Sequence, residues 1–176
     1  MDTELARNKR TKMNITKCAL ALLFAYAAMA QAPANPATVL TVSGDLAMPL
    51  KLTIADLAGM PRQTVKIDGA NGSNTYEGVS LFEILKKAGV PNGGSLRGAS
   101  LATYVLAKAS DGYQVAFTLG EVDPSFGNTL ILVADRRDGT PLSGNQGALR
   151  LIVPNDHEGA RSVRMLETLE FIRLKK

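Results

Sequence analysis

The chain has 176 residues, 45% of them hydrophobic, with 20 basic and 16 acidic residues and a net charge of +4. Residues 1–30 carry five of the bases and two of the acids, so 15 basic and 14 acidic residues remain beyond them. That near balance, with no Trp and only 5% aromatic residues, excludes a nucleic-acid binder built on positive charge and stacking.

In chain order, Arg7, Lys9, Arg10, Lys12 and Lys17 precede the apolar run "CALALLFAYAAMA", Cys18 to Ala30, which ends in the small-x-small pattern Ala28-Met29-Ala30. This layout predicts a secretory signal peptide over residues 1–30, cut after Ala30, because the run is too short to span a bilayer. The expected product is periplasmic or secreted, with no membrane attachment after the signal is removed. Met13 is an alternative start, since "MNITK" also supplies a basic lead. "QAPANPA", residues 31–37, reads as a linker, and residues 38–176 as one domain long enough to rely on its own core. The single cysteine, Cys18, leaves with the signal. The mature chain then has no disulfide, no thiolate nucleophile and no cysteine metal ligand.

Within the domain, "TVLTVSG" (38–44) and "PLKLT" (49–53) gather β-formers about a turn and predict a hairpin. Thr53-Ile-Ala-Asp56 is a helix start, stopped at Gly59 and Pro61. "RQTVKI" (62–67) predicts a strand and "DGANGSN" (68–74) a loop. Ser80-Leu-Phe-Glu83 is a capping box opening "LFEILKKAG", closed by Gly89. "NGGSLRG" (92–98) is glycine-rich but lacks the strand–loop–helix setting of a phosphate loop, and reads as surface. "ATYVLAKAS" and "YQVAFT" flank Asp111-Gly112 as a hairpin does. "LGEVDP" (119–124) fits one helical turn. "TLILVAD" (129–135) is a buried strand followed by the turn "RRDGTPL", in which Arg136 and Arg137 read as solvated. "LRLIVP" (149–154) and "LETLEFIRL" (166–174) complete a single α+β, strand-rich domain with two or three short helices.

One His and no mature Cys rule out ordinary zinc, haem c and iron–sulfur ligation, so no metal site is expected. No nucleophile elbow, Walker loop or dinucleotide fingerprint occurs, and no catalytic residue is assigned. His157 lies between Asp156 and Glu158, a setting open to acid–base work or to plain surface. Arg150 opens a buried strand, while Arg161 and Arg164 flank Ser162 just past Gly159. Arginine forks, a hydroxyl and free backbone N–H groups make an anion cradle. The other reading points these side chains to water or pairs them with Asp156, Glu158 and Glu167.

From about Val39 to Leu174 the chain resembles the molybdopterin-binding domain of the sulfite-oxidase family in a small stand-alone form. The motifs that carry the resemblance are "YEGVSLFEILKKAGV", "ASDGYQVAFTLGEV", "LILVADRRDGTPL" and "GALRLIVPNDHEGARSVRMLETLEFI", in that order. The resemblance implies an α+β fold of layered mixed sheets. It also implies that Arg150, Ser162 and Arg164 contact the phosphate end of a pterin, with Arg161, Asn145 and His157 as further candidates.

Two departures qualify what it implies. Family enzymes hold molybdenum through a cysteine before the "YEGVSL"-like segment, where this chain reads "TVKIDGANGSNTYEGVSL" without Cys. Asp68 lies near the expected place, but a carboxylate is a poor substitute for a soft thiolate. Exported family enzymes travel folded behind a twin-arginine signal, and here Lys9-Arg10 is followed by no adjacent arginine pair. Together these imply an exported, non-redox binding module with a pocket for a small anionic or pterin-like ligand. No resident cofactor is then expected, although the family's cofactor is molybdopterin. Two alternatives stay open. One is a molybdopterin-dependent oxidoreductase acting without the cysteine. The other is a structural or partner-binding accessory protein of an exported redox or signalling system.

Overall fold

The computed structural model describes residues 37–69 and 72–174. The expected signal peptide and all of the expected linker but Ala37 lie outside the described residues. Strands β1 (Leu40–Gly44) and β2 (Leu50–Leu52) form the predicted hairpin, with Leu40 opposite Leu52. Helix α1 (Ile54–Ala58) starts on the expected box: the Asp56 N–H donates to Thr53 Oγ1 at 3.1 Å, and the Thr53 N–H donates to Asp56 Oδ2 at 2.8 Å. Two backbone donors at the start of the helix are thereby satisfied. Helix α2 (Leu81–Lys87) is capped by Ser80, whose Oγ accepts from the Glu83 N–H at 3.3 Å.

The segment 68–74 corrects the reading of a loop. β3 (Arg62–Gly69) and β4 (Gly72–Ser80) are long antiparallel strands whose ladder runs out to Gly69 opposite Gly72. The Ser73 hydroxyl donates to the Asp68 carboxylate across the pair, so polar residues that look like loop are used inside the hairpin. The remaining elements follow expectation within a few residues, except that Arg136–Arg137 and Thr140–Pro141, expected in a turn, are paired strand. They are β5 (Thr103–Ala109), β6 (Gln114–Thr118), α3 (Leu119–Val122), β7 (Leu132–Arg137), β8 (Thr140–Pro141), β9 (Arg150–Ile152) and β10 (Leu166–Arg173). The glycine-rich stretch after Val90 holds short 3-10 turns at Gly93–Ser95 and Gly98–Leu101.

The strands make two five-stranded sheets. The first has the order β2-β1-β10-β5-β6, with β1 and β10 parallel. The second runs β3-β4-β7-β8, with β9 also pairing β7. The principal core joins Val42, Val105, Phe117 and Phe171 of the first sheet to Val79, Val133 and Leu151 of the second. Leu57, Ile84 and Leu119 of the helices complete it. Each fully buried side chain of this kind contributes about 1.5–3 kcal/mol.

The first half of β7, Leu132 to Ala134, is buried on both faces, as its unbroken apolar sequence requires. Its second face carries a smaller cluster of Val65, Tyr76, Leu132, Ala134, Leu142 and Ile152. A bulge interrupts the β4–β7 ladder. Gly78 lies opposite Ala134 and Glu77 opposite Arg136, which leaves Asp135 as the extra residue. The extra residue resets the alternation, so Arg137, opposite Tyr76, shares the face of Ala134. At this point the strands approach closely: a Cβ on Gly78 would meet the Val133 carbonyl oxygen at 2.1 Å.

Candidate functional site

Arg150 opens β9 directly opposite Ala134 of β7, which puts it on the face of the smaller cluster beside Tyr76. Its guanidinium lies 5.5 Å from the centre of the Tyr76 ring. Its Nη1 donates to Gln146 Oε1 at 2.8 Å and to Tyr76 Oη at 3.2 Å. All of these partners are neutral. Among the described residues no carboxylate pairs with Arg150, and its Nε is buried without a hydrogen-bond partner. Burial first, and then the like charges of Arg164 and Arg137, hold the Arg150 pKa below its ordinary value, against an opposing influence from Tyr76. A buried donor left unmade costs about 1–3 kcal/mol, so an acceptor placed here would be favoured.

The neighbours are arranged from three strand ends. Arg137 reaches the face through the β7 bulge. Arg164 is exposed in the segment before β10, and Ser162 accepts from the Val153 N–H at 3.2 Å, tying that segment to the end of β9. Gln146 belongs to a short 3-10 turn, Gly144–Gln146, whose closing Gly147 has φ +73. A Cβ on Gly147 would meet the Met165 Cα at 2.6 Å, so only glycine lets the turn lie this close to β10. Asn145 is exposed, and its Oδ1 accepts from Gln146 Nε2 at 3.1 Å. A cavity of about 420 Å³ opens beside Gln146, lined by Arg137, Thr140, Ser143 and Asn145 among others.

Arg161 has a different environment, and the three arginines of the stretch Arg150–Arg164 do not converge. Arg161 binds Asp156 through two bonds, Nε to Oδ2 at 2.7 Å and Nη2 to Oδ1 at 2.6 Å, and Nη1 reaches Glu121 Oε1 at 2.7 Å. It also stacks 5.2 Å from the Phe117 ring. The hydrogen bond from Arg161 is the leading cause that holds the Asp156 carboxyl below its usual range, and that same bond raises the Arg161 pKa. With both carboxylates in place, its charge is already neutralised. The Tyr113 hydroxyl donates to the Ala160 carbonyl at 2.7 Å and clips the same turn to the β5–β6 hairpin. His157 is exposed in this loop.

Sequence reasoning did not single out Tyr76, Gln146 or Arg137 as partners of Arg150. Tyr76 stands 74 positions away from it, and only the strand register brings the two together. Gln146 carries a local signal, lying four residues before Arg150 on a turn that ends in glycine.

Asp68, nearest to the place of the family's metal-binding cysteine, is exposed near the tip of the β3–β4 hairpin and bonded to Ser73. Among the described residues no group of three or more His, Cys, Asp or Glu side chains is placed to hold a metal ion. No helix among them is long and apolar enough to cross a membrane.

Comparison with curated proteins found no match. Among solved structures, the crystal structure of the sulfane dehydrogenase SoxCD from Paracoccus pantotrophus is similar, with a TM-score of 0.57 and 20% identity. The match covers 75% of this chain and 37% of that one, so this chain spans well under half the length of that protein. At this identity the likeness speaks for the fold, a strand-rich α+β arrangement of the sulfite-oxidase-like molybdopterin-binding type. A family model, the oxidoreductase molybdopterin binding domain, matches residues 29–176. The chain belongs to that family.

Proposed function

We propose that this chain is an exported, non-redox binding module that holds the phosphate end of a pterin-like ligand at the Arg150 corner and carries no molybdenum centre. The observation that supports the reading is the buried, unpartnered Nε of Arg150 on a guanidinium matched only by neutral groups. A phosphate would supply the missing acceptor, and charge-assisted bonds of this type are about twice as strong as neutral ones. Arg164 adds positive charge at the same corner, while the charge of Arg137 is shared with Asp138, 3.5 Å away. Arg161 and His157 stand outside this reading, Arg161 because Asp156 and Glu121 already neutralise it.

The residues fit one end of molybdopterin and not the other. Arg150, Arg164 and Ser162 suit an anion, whereas the metal end calls for a soft thiolate, and the chain's one cysteine is Cys18. Two measurements on the purified protein test the proposal. Calorimetric titration with inorganic phosphate and with a pterin phosphate is expected to show binding that Arg150→Ala weakens about tenfold or more, the loss of one charge-assisted bond. Elemental analysis after native expression is expected to find far less than one molybdenum per chain. Stoichiometric molybdenum would establish the oxidoreductase reading instead, and equal binding by wild type and variant would remove the anion site.

A further inference from the structure

Arg150 and Arg161 are held in the same manner, with one difference. Arg161 presents the edge formed by Nε and Nη2 to the two oxygens of Asp156, at 2.7 and 2.6 Å, and gives Nη1 to Glu121 Oε1 at 2.7 Å. Arg150 gives Nη1 to Gln146 Oε1 at 2.8 Å, and Tyr76 Oη accepts from the same nitrogen at 3.2 Å. Gln146 therefore stands to Arg150 as Glu121 stands to Arg161, on the same nitrogen and at nearly the same distance, but without charge. The Nε–Nη2 edge of Arg150 has no acceptor among the described residues, and its Nε is buried. On a planar guanidinium these two N–H groups point the same way, a fork spaced for two oxygens of one anionic group.

Gln146 is fixed from both ends. Its N–H donates to the Ser143 carbonyl at 3.2 Å, and its own carbonyl accepts from the Met165 N–H at 2.8 Å. Met165 is itself held at φ +51, a conformation that side chains other than glycine rarely adopt. At the side-chain end, Nε2 donates to Asn145 Oδ1 at 3.1 Å, which leaves Oε1 for Arg150. A tied backbone and a tied amide set the guanidinium in advance, so little ordering remains for a ligand to bring about.

We propose that Gln146 is the positioning and selectivity residue of the anion corner, an assignment that rests on the reading of that corner as a phosphate site. Its amide oxygen holds Nη1 so that the Nε–Nη2 edge faces two phosphate oxygens. Its lack of charge leaves the positive charge of the guanidinium to the ligand. A carboxylate at this position would treat Arg150 as Glu121 treats Arg161, and would set a like charge across the guanidinium from the phosphate.

The test compares wild type, Gln146→Glu and Gln146→Ala by calorimetric titration with inorganic phosphate and by urea melts without it. Gln146→Glu is expected to bind phosphate about tenfold or more weakly at neutral pH. It is also expected to unfold at a higher urea concentration, since an acid then compensates the charge of Arg150. The introduced carboxyl, held below its ordinary pKa by Arg150, regains a proton only in acid and is then a neutral acceptor again. The affinities of wild type and Gln146→Glu should therefore draw together as pH falls below about 4, which a merely structural role does not produce. Gln146→Ala, which frees Nη1 without adding charge, is expected to weaken binding by less than Gln146→Glu does. Equal affinity in wild type and Gln146→Glu at neutral pH overturns the assignment and leaves the anion site standing. So does a loss of affinity that comes with lower stability and no recovery in acid. A wild type that binds no phosphate removes the site and the assignment together.

Discussion

Replacing Arg150 by Met separates a ligand-binding arginine from a structural one, because the two roles predict opposite results. In the protein without ligand, Arg150 gains two bonds to neutral oxygens, at 2.8 and 3.2 Å, and a stacking contact at 5.5 Å. Hydrogen bonds from a charged group return about 1.5–3 kcal/mol each, and a cation over a ring about 0.5–2 kcal/mol. Against these stand the buried, unbonded Nε, costing about 1–3 kcal/mol, and the burial of a charge that no acid matches. Burying an unmatched charge costs several kcal/mol after relaxation, so the terms offset one another to within about 1–2 kcal/mol. Met keeps most of the aliphatic stem's packing on Tyr76 and removes the charge. Urea denaturation without ligand should therefore place Arg150→Met within about 1 kcal/mol of wild type, or above it. Phosphate affinity by calorimetry should fall about tenfold or more, since each lost charge-assisted bond is worth about 1.5–3 kcal/mol. A variant that loses several kcal/mol of stability yet binds phosphate as wild type does would refute the reasoning and make Arg150 a scaffold residue.

Arg161→Ala should show the reverse profile, leaving phosphate affinity within a factor of about two. Its stability should drop by about 1–2 kcal/mol in urea melts, moderated because Arg161 keeps 35% of its side chain exposed. The acid limb of stability follows from Asp156, whose folded pKa is depressed chiefly by Arg161. Its contribution is complete above the ordinary carboxyl value of about 4 and is lost as pH falls through the lower folded value. Melts taken from neutral pH down to about 2 should fall less steeply for Asp156→Asn, and parallel curves would show that the pair contributes nothing. Gly78→Ala should cost about 3 kcal/mol or prevent folding, because its Cβ would lie 2.1 Å from a backbone oxygen at the β7 bulge, and thermal melting reads this directly. Intact-mass measurement of exported protein should find the chain beginning at or within a few residues of Gln31, and a mature chain retaining Cys18 would contradict the expected cleavage.

Features set by short-range chemistry are legible in the amino-acid sequence. Thr53 with Asp56 and Ser80 with Glu83 start helices where their spacing indicates, and Asp111-Gly112 turns the β5–β6 hairpin. What is not legible depends on strand register. β4 contains Asn, Glu and Gly residues that weaken a strand signal, yet it lies at the centre of the second sheet between β3 and β7. Its pairing is held by partners far away in sequence. The bulge at Asp135 is equally silent in the sequence, although it decides which way Arg137 faces. Glu121 as an acceptor for Arg161, 40 positions away, has no local signal either.

The contrasting environments of the arginines come from that same parity. The bulge leaves Asp135 on the face of Val133, where Arg62 takes both of its carboxylate oxygens at 2.5 and 2.8 Å. Ala134, one residue earlier, faces the other way and lies opposite Arg150. Asp135 is therefore one position from the β9 register of Arg150 but matched to a different guanidinium. Asp156, six residues after Arg150, is likewise taken by Arg161. Part-buried Arg62 and Arg161 are each neutralised by acids, while Arg150, on the same two-sheet scaffold, is given a phenol, an amide and two more arginines. A fold that matches its other part-buried guanidiniums so closely leaves an unmatched one at a cost, and an anion bound there, as proposed, would remove that cost.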